Sequence, residues 1–309
     1  MILRIVFYEP ENTFGQIRTG VLYDHKVIDV NQAYRSFLTY NELSASSADQ
    51  LMPASVNDYL ALGKVAFERT KQAVSHAIEH QEESVMLNRN QVTLKAPLKQ
   101  GAKVICVGKN YRNHVSEMKS EIPDFPVLFA KFSNAIIGPE DQIQKSSETN
   151  KLDYEGELAL IIGKEASQVS RDKALDYIAG YTVGNDVSAR DLQKRTPQWL
   201  QGKTLDHSTP IGPWMVTADE VPDPHDLTIK TTVNGEQRQY SSTRHFIFNI
   251  PYLIEFISSL ITLQPGDVIL TGTPDGVGFA MDPPQYLENG DQIKIEIEKI
   301  GMLENDVRQ

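Results

Sequence analysis

The sequence predicts an α+β fold made mainly of strands. Short apolar runs closed by glycine recur along it, as at 158–162 before Gly163. Asn234-Gly235 separates two strand-like stretches, 228–233 and 236–240, and suits the left-handed turn of a two-residue hairpin. Helical periodicity is confined to a few stretches, the longest at 64–80 and 249–261.

The totals bound what the chain can do. At 309 residues it has room for one large domain or a small one with a medium one, and 40% hydrophobic with 23% charged residues is ordinary for a globular protein. Net charge is 30 − 41 = −11, which disfavours nucleic acid or an anionic membrane as partner. A small anionic ligand stays possible, because salt screens the distant field and a few local cations outweigh it. The single cysteine, Cys106, excludes an internal disulfide and a cysteine-built metal site, and its apolar neighbours at 104–107 read as a buried strand. Residues 1–9 lack a basic leader and a cleavage site and read as a first strand. No apolar run approaches the ~20 residues that cross a bilayer, so the expectation is a cytoplasmic protein.

Residues 1–98 read as a small α+β domain. Residues 21–23 and 27–30 flank the polar turn Asp24-His25-Lys26 as a hairpin. Phe67, Thr70, Val74 and Ala77 or Ile78 recur at helical spacing over 64–80, and His76 and His80, without a third ligand nearby, read as surface residues of that helix. The extended stretch 92–97, ending in proline, marks a boundary. A second domain, 101–309, opens with a buried strand at 103–107 and a loop entering a short helix at 109–118. On that helix His114 and Glu117 share a face. A carboxylate beside an imidazole orients the ring and makes it a better general base, although an incidental surface pair has the same spacing.

Further along, 126–132 reads as a strand with Lys131 among apolar neighbours, either snorkelling to solvent or reaching an anionic ligand. Residues 188–194 read as a helix capped by Ser188, with Arg190 and Gln193 one turn apart. Lys203 falls in a loop at 202–206. Asn249 and Pro251 open the helix to 261, with Leu253, Ile254, Ile257 and Leu260 inward. Glycines and threonines at 271–278 form a loop that a ligand can approach closely, without the ending of a Walker loop. An alternating strand at 292–298 closes the chain.

The organising stretch is Asp153-Tyr154-Glu155-Gly156-Glu157, followed by the apolar run to Ile162. Alternation sends Glu155 and Glu157 to one face, where two carboxylates repel unless a cation sits between them. Oxygen-only ligands suit magnesium or manganese rather than zinc. Asp186, ending another strand, is the candidate third ligand. Taken alone, Glu-x-Glu is more simply a solvated strand face neutralised by lysines, because acids two residues apart are common.

Five motifs taken together carry more than any one. Gly-Lys-Asn-Tyr-Arg-Asn-His from 108, Asp-Tyr-Glu-Gly-Glu-Leu from 153, Asn-Asp-Val-Ser-Ala-Arg-Asp-Leu-Gln from 185, Gly-Lys-Thr-Leu-Asp from 202 and Thr-Gly-Thr-Pro-Asp-Gly-Val-Gly from 271 resemble the fumarylacetoacetate hydrolase family. The resemblance is closest to its bacterial branch of acylpyruvate hydrolases, oxaloacetate decarboxylases and related isomerases. It implies a mixed, mainly β roll for the catalytic domain and a homodimer built through that domain. It implies Mg2+ or Mn2+ on Glu155, Glu157 and Asp186, and a His114–Glu117 dyad on a mobile lid. Lys131, Arg190, Gln193, Lys203 and Thr273 fall where the family contacts a small anionic 2-oxo acid. The expected chemistry is cleavage of the carbon–carbon bond β to the 2-oxo group, releasing pyruvate, by hydrolysis of an acylpyruvate or decarboxylation of oxaloacetate. An isomerase or tautomerase of an unsaturated 2-oxo diacid, or a scaffold with incidental activity, is the alternative. The segments 119–126 and 195–201 vary within the family and shape the pocket.

Overall fold

The computed structural model describes residues 2–11 and 13–309. Mixed β-sheet dominates it. The larger sheet runs in the order Met86–Asn88, Lys26–Asp29, Arg18–Tyr23, Arg4–Pro10, Thr209–Thr217, Ile178–Asn185, Gly156–Ile162, Val268–Leu270, Val104–Gly108 and Val127–Lys131. A second sheet orders Glu236–Ser242, Thr228–Val233, Gln292–Ile297, Gly301–Arg308 and Ile143–Gln144. The first strand pairs antiparallel with Thr209–Thr217, Arg4 opposite Val216, so the amino-terminal unit and the site-bearing strands belong to one sheet. Two helices of that unit, Val30–Tyr40 and Lys64–Glu79, pack on each other and bury Val30, Ala33, Phe67 and Val74.

The strand Gly156–Ile162 is buried on both faces, as expected of a central strand flanked by packing layers. Leu158, Leu160 and Ile162 join a core with Ile229, Ile293, Ile295 and the inward residues of the helix Ile250–Leu260. Ala159 and Ile161 face the other way, into a core with Ile5, Val21 and Cys106. Alternation therefore carries Glu157 and Glu155 out on the Cys106 side. Pairing of Gly156 with Asn185 sets the acidic end of this strand beside Asp186.

Several local expectations are corrected. Val30 begins a helix instead of ending a strand, because the Asp29 side chain accepts from Gln32 N as a cap. His76 is buried, not on the surface, with Nε2 3.1 Å from Glu82. Ser188–Ala189 pairs with Leu152–Asp153, and Ser188 Oγ donates to the Asp186 carbonyl, so the helix shrinks to Arg190–Gln193. Lys203 ends a short helix, Leu200–Lys203, rather than lying in a loop. Leu260, in the last turn of its helix, is 64% exposed. A further strand, Gly301–Arg308, follows Gln292–Ile297 and pairs with it. The Asn234-Gly235 hairpin is as expected, both residues in the left-handed region at φ 52° and 80°. No helix among the described residues is long and apolar enough to cross a membrane.

Candidate functional site

Glu155, Glu157 and Asp186 are all buried and each offers a carboxylate oxygen within 4.8 Å of the others. The solvated-face alternative fails on that burial. Adjacent strand ends of the large sheet deliver all three. Three cations converge on them. Lys203 Nζ donates to Glu155 Oε2 and Asp186 Oδ2, both at 2.7 Å. Lys131 Nζ lies 2.9 Å from Asp186 Oδ1 while donating to the carbonyls of Val187 and Lys203 at 3.0 and 2.5 Å. Lys131 thus neither snorkels to solvent nor stands free for a ligand. Arg190 bridges Asp153 through Nε at 2.8 Å and Glu155 Oε1 at 2.7 Å, and its remaining nitrogen donates to Gln193 at 3.2 Å.

These contacts set opposite proton affinities on neighbouring acids. Burial alone would raise Glu155, but Lys203 and Arg190 outweigh it and hold the carboxyl well below the usual range. Glu157 has no cation within ion-pair distance among the described residues. Burial, then the charges of Asp186 and Glu155, push it well above the usual range, despite the hydrogen bond it accepts from Gly272 N at 2.7 Å. Lys203 is held charged, since Asp186 and Glu155 outweigh its desolvation.

The residues fit a divalent cation. Four buried carboxylates, counting Asp153, face three buried cations, so the charges balance only while Glu157 keeps its proton, and a divalent cation would take that proton's place. Asp186 Oδ1 is buried without a well-aligned donor. The donor set is all oxygen, which suits a hard ion.

The remaining expected residues lie around the same cavity, of about 70 Å³, which is lined by His114, Glu155, Glu157, Asp186, Arg190, Gln193, Lys203 and Thr273. Phe129, Trp199 and Met118 supply its apolar wall. His114 sits on the helix Arg112–Glu117, with Nδ1 2.7 Å from Glu117 Oε1. The other Glu117 oxygen accepts from Gly276 N at 2.9 Å. The helix carrying the dyad is thereby fastened to the 271–278 loop. Of the ten expected site residues, Lys131 stands behind Asp186 and Glu117 behind His114.

Sequence reasoning missed the groups that hold these parts together. Asp153 accepts from Arg190 Nε, Gly278 N and Phe279 N, anchoring the far end of the loop. Buried Asn110 donates to the carbonyls of Phe248 and Thr271 and accepts from Phe248 N. Gln239 links Gly156 to Thr273. Asp153 and Asn110 lay inside motifs already singled out, whereas Gln239 had no local signal.

Residues 103–308 match the family described as fumarylacetoacetate (FAA) hydrolase, C-terminal. A Dictyostelium discoideum protein named fumarylacetoacetate hydrolase domain-containing protein 2 homolog is 41% identical over 318 residues, covering 99% of this chain and 98% of that one. The Bacillus subtilis oxaloacetate tautomerase YisK is 40% identical over 293 residues, covering 93% and 94%. Among solved structures, a fumarylacetoacetate hydrolase from Exiguobacterium antarcticum superposes with a TM-score of 0.77 at 35% identity over 99% of both chains. With a match over two thirds of its length and relatives aligned nearly end to end, the chain belongs to the fumarylacetoacetate hydrolase family.

Proposed function

We propose that the protein is a tautomerase of a small 2-oxo diacid of the oxaloacetate class, with Mg2+ or Mn2+ on Glu155, Glu157 and Asp186. The observation that carries the reading is that buried His114, held from behind by Glu117 at 2.7 Å, lines the same small cavity as the three carboxylates. When bound, the cation supplies a Lewis acid that acidifies the carbon next to the oxo group. The chain's own residues then move the proton. With Nδ1–H held by Glu117, His114 offers Nε2 as the base that takes a proton from that carbon while the oxo oxygen gains one to become the enol hydroxyl. In the reverse direction it is the acid that protonates the carbon while the enol oxygen gives its proton up. Lys203 has three N–H donors, two of them spent on Glu155 and Asp186, so the third is free for a substrate oxygen. Arg190, Gln193 and Thr273 add donors for the carboxylates, and the Phe129 and Trp199 wall keeps water out. YisK, so close in sequence, supports this reading by its name.

The same dyad can take a proton from water instead of carbon. That supports a second reading, hydrolytic carbon–carbon cleavage of an acylpyruvate with release of pyruvate. Decarboxylation of oxaloacetate, which also gives pyruvate, needs no attacking water and draws only on the cation's pull on the 2-oxo group. The test is to supply purified protein and Mn2+ with freshly dissolved enol-oxaloacetate. Loss of enol absorbance is followed beside pyruvate in a coupled assay, with acetylpyruvate as a parallel substrate. Enol loss that outruns pyruvate formation is the expected result. Pyruvate formed as fast as enol disappears favours cleavage, and no metal-dependent change in either substrate overturns both readings.

A further inference from the structure

The hairpin strand Glu236–Ser242 contributes no wall to the cavity, yet it touches the parts that must be aligned there. Its Arg238 carbonyl lies directly beneath Gly276, where a Cβ would collide with it, and Gly276 N is the donor that holds Glu117. Its next residue, Gln239, is completely buried. Gln239 Oε1 accepts from Gly156 N at 3.0 Å, between the two glutamates of the acidic cluster. Gln239 Nε2 donates to Thr273 Oγ1 and to the Pro274 carbonyl, each at 2.8 Å.

The chemistry of the partners fixes which way this amide points. Gly156 N–H can only donate and the Pro274 carbonyl can only accept, so a flipped amide would set donor against donor and acceptor against acceptor. Thr273 Oγ1 is consequently an acceptor from Gln239, and its own hydrogen is left for a partner on its other side. Thr273 lines the cavity, and no acceptor for that hydrogen is present among the described residues.

We propose that Gln239 is a positioning residue that commits the Thr273 hydroxyl to donate into the cavity, toward an anionic oxygen of the substrate. The proposal rests on the reading of the cavity as a site for 2-oxo acids. It assigns to the second sheet a part in ligand recognition: the hairpin sets the polarity of one donor and ties it to the backbone between Glu155 and Glu157.

The test measures binding of oxalate, which mimics the adjacent oxygens of a 2-oxo acid but does not react, to Mn2+-loaded protein by calorimetry. Gln239→Met should weaken oxalate binding about tenfold, and Thr273→Val should weaken it by a similar factor. In the double variant the two losses should not multiply, because both remove the same directed hydrogen. Independent, multiplying losses would show a merely structural role and overturn the proposal. Gln239→Glu covers the case in which the methionine variant does not fold. Ionised, it accepts from Thr273 and turns the hydroxyl away, so binding should be weak at high pH and recover toward wild type as the new carboxyl protonates. A penalty independent of pH, relative to wild type at each pH, overturns the proposal as well. If the wild type binds oxalate and the cycle holds but no tautomerase activity is found, the function falls and this assignment stands. If the wild type does not bind oxalate, the assignment falls too.

Discussion

Lys131 Nζ lies 2.9 Å from Asp186 Oδ1, and solvent reaches neither side chain. A buried ion pair adds little by its presence but costs much when half of it is removed. Lys131→Met should therefore lower stability by about 3–5 kcal/mol, read as a shift of the urea midpoint. Part of that loss should return on adding Mn2+, since the ion supplies the charge Asp186 has lost. A midpoint that neither the substitution nor the metal moves would mean the acidic cluster is not electrostatically strained.

Metal binding should release a proton. Burial, then the charges of Asp186 and Glu155, raise Glu157 well above the usual range, so a cation must displace its proton. Affinity for Mn2+ should fall as pH drops through that raised titration, by up to about tenfold per unit. Calorimetry in buffers of different ionisation enthalpy should show about one proton released per ion. Stability of the metal-free protein follows the opposite course. The protonated Glu157 favours the folded state, and that contribution is lost as pH rises from the ordinary glutamate range to its raised value. The metal-loaded protein should not show that loss. Mn2+ binding with no proton release would contradict the assignment.

The dyad makes a separable prediction. His114→Ala should reduce kcat by about 100- to 10,000-fold while leaving Mn2+ affinity nearly unchanged, because His114 is not among the acidic ligands. Glu117→Gln keeps the side-chain shape but not its charge, and should reduce kcat by a smaller factor. A His114→Ala enzyme that turns over enol-oxaloacetate at the wild-type rate would remove the imidazole from the reaction.

Gly156 is glycine because the second sheet presses against it. An added Cβ would collide with Thr231 Oγ1 and meet Ile295 Cγ2 at 3.1 Å. Gly156→Ala should cost about 1–3 kcal/mol of stability and weaken Mn2+ binding although Glu155 and Glu157 are both intact. Thr231→Ala, which clears the space, should restore part of both. Unchanged metal affinity in the alanine variant would show that the strand end tolerates the displacement.

Part of the acidic cluster was legible from strand alternation, since Glu155 and Glu157 are two apart and their carboxylates do converge, while Asp186 entered as a strand-end candidate that the family motifs supported. The dyad was legible for a similar local reason, the helical spacing of His114 and Glu117. What sequence could not give was the set of partners. Lys131 is locally a lysine in a strand, and only the fold shows that Asp186, 55 residues on, is its counter-ion. Gln239 hydrogen-bonds 83 residues back to Gly156 and 34 forward to Thr273, and no periodicity records such a contact. Ser188 was misread as a helix cap because its real partner, the strand Leu152–Asp153, lies outside any local window.

The pairing of Arg4–Pro10 with Thr209–Thr217 has a practical consequence for anyone who trims this protein. No residue lining the cavity precedes Val107, which invites expression of the later part by itself. Cutting there would strip a neighbour from Thr209–Thr217 and leave its backbone N–H and C=O groups bare, one strand away from the strand that ends beside Asp186. Such raw borders recruit other chains, so the shortened protein would be expected to clump in solution with its ligands all present.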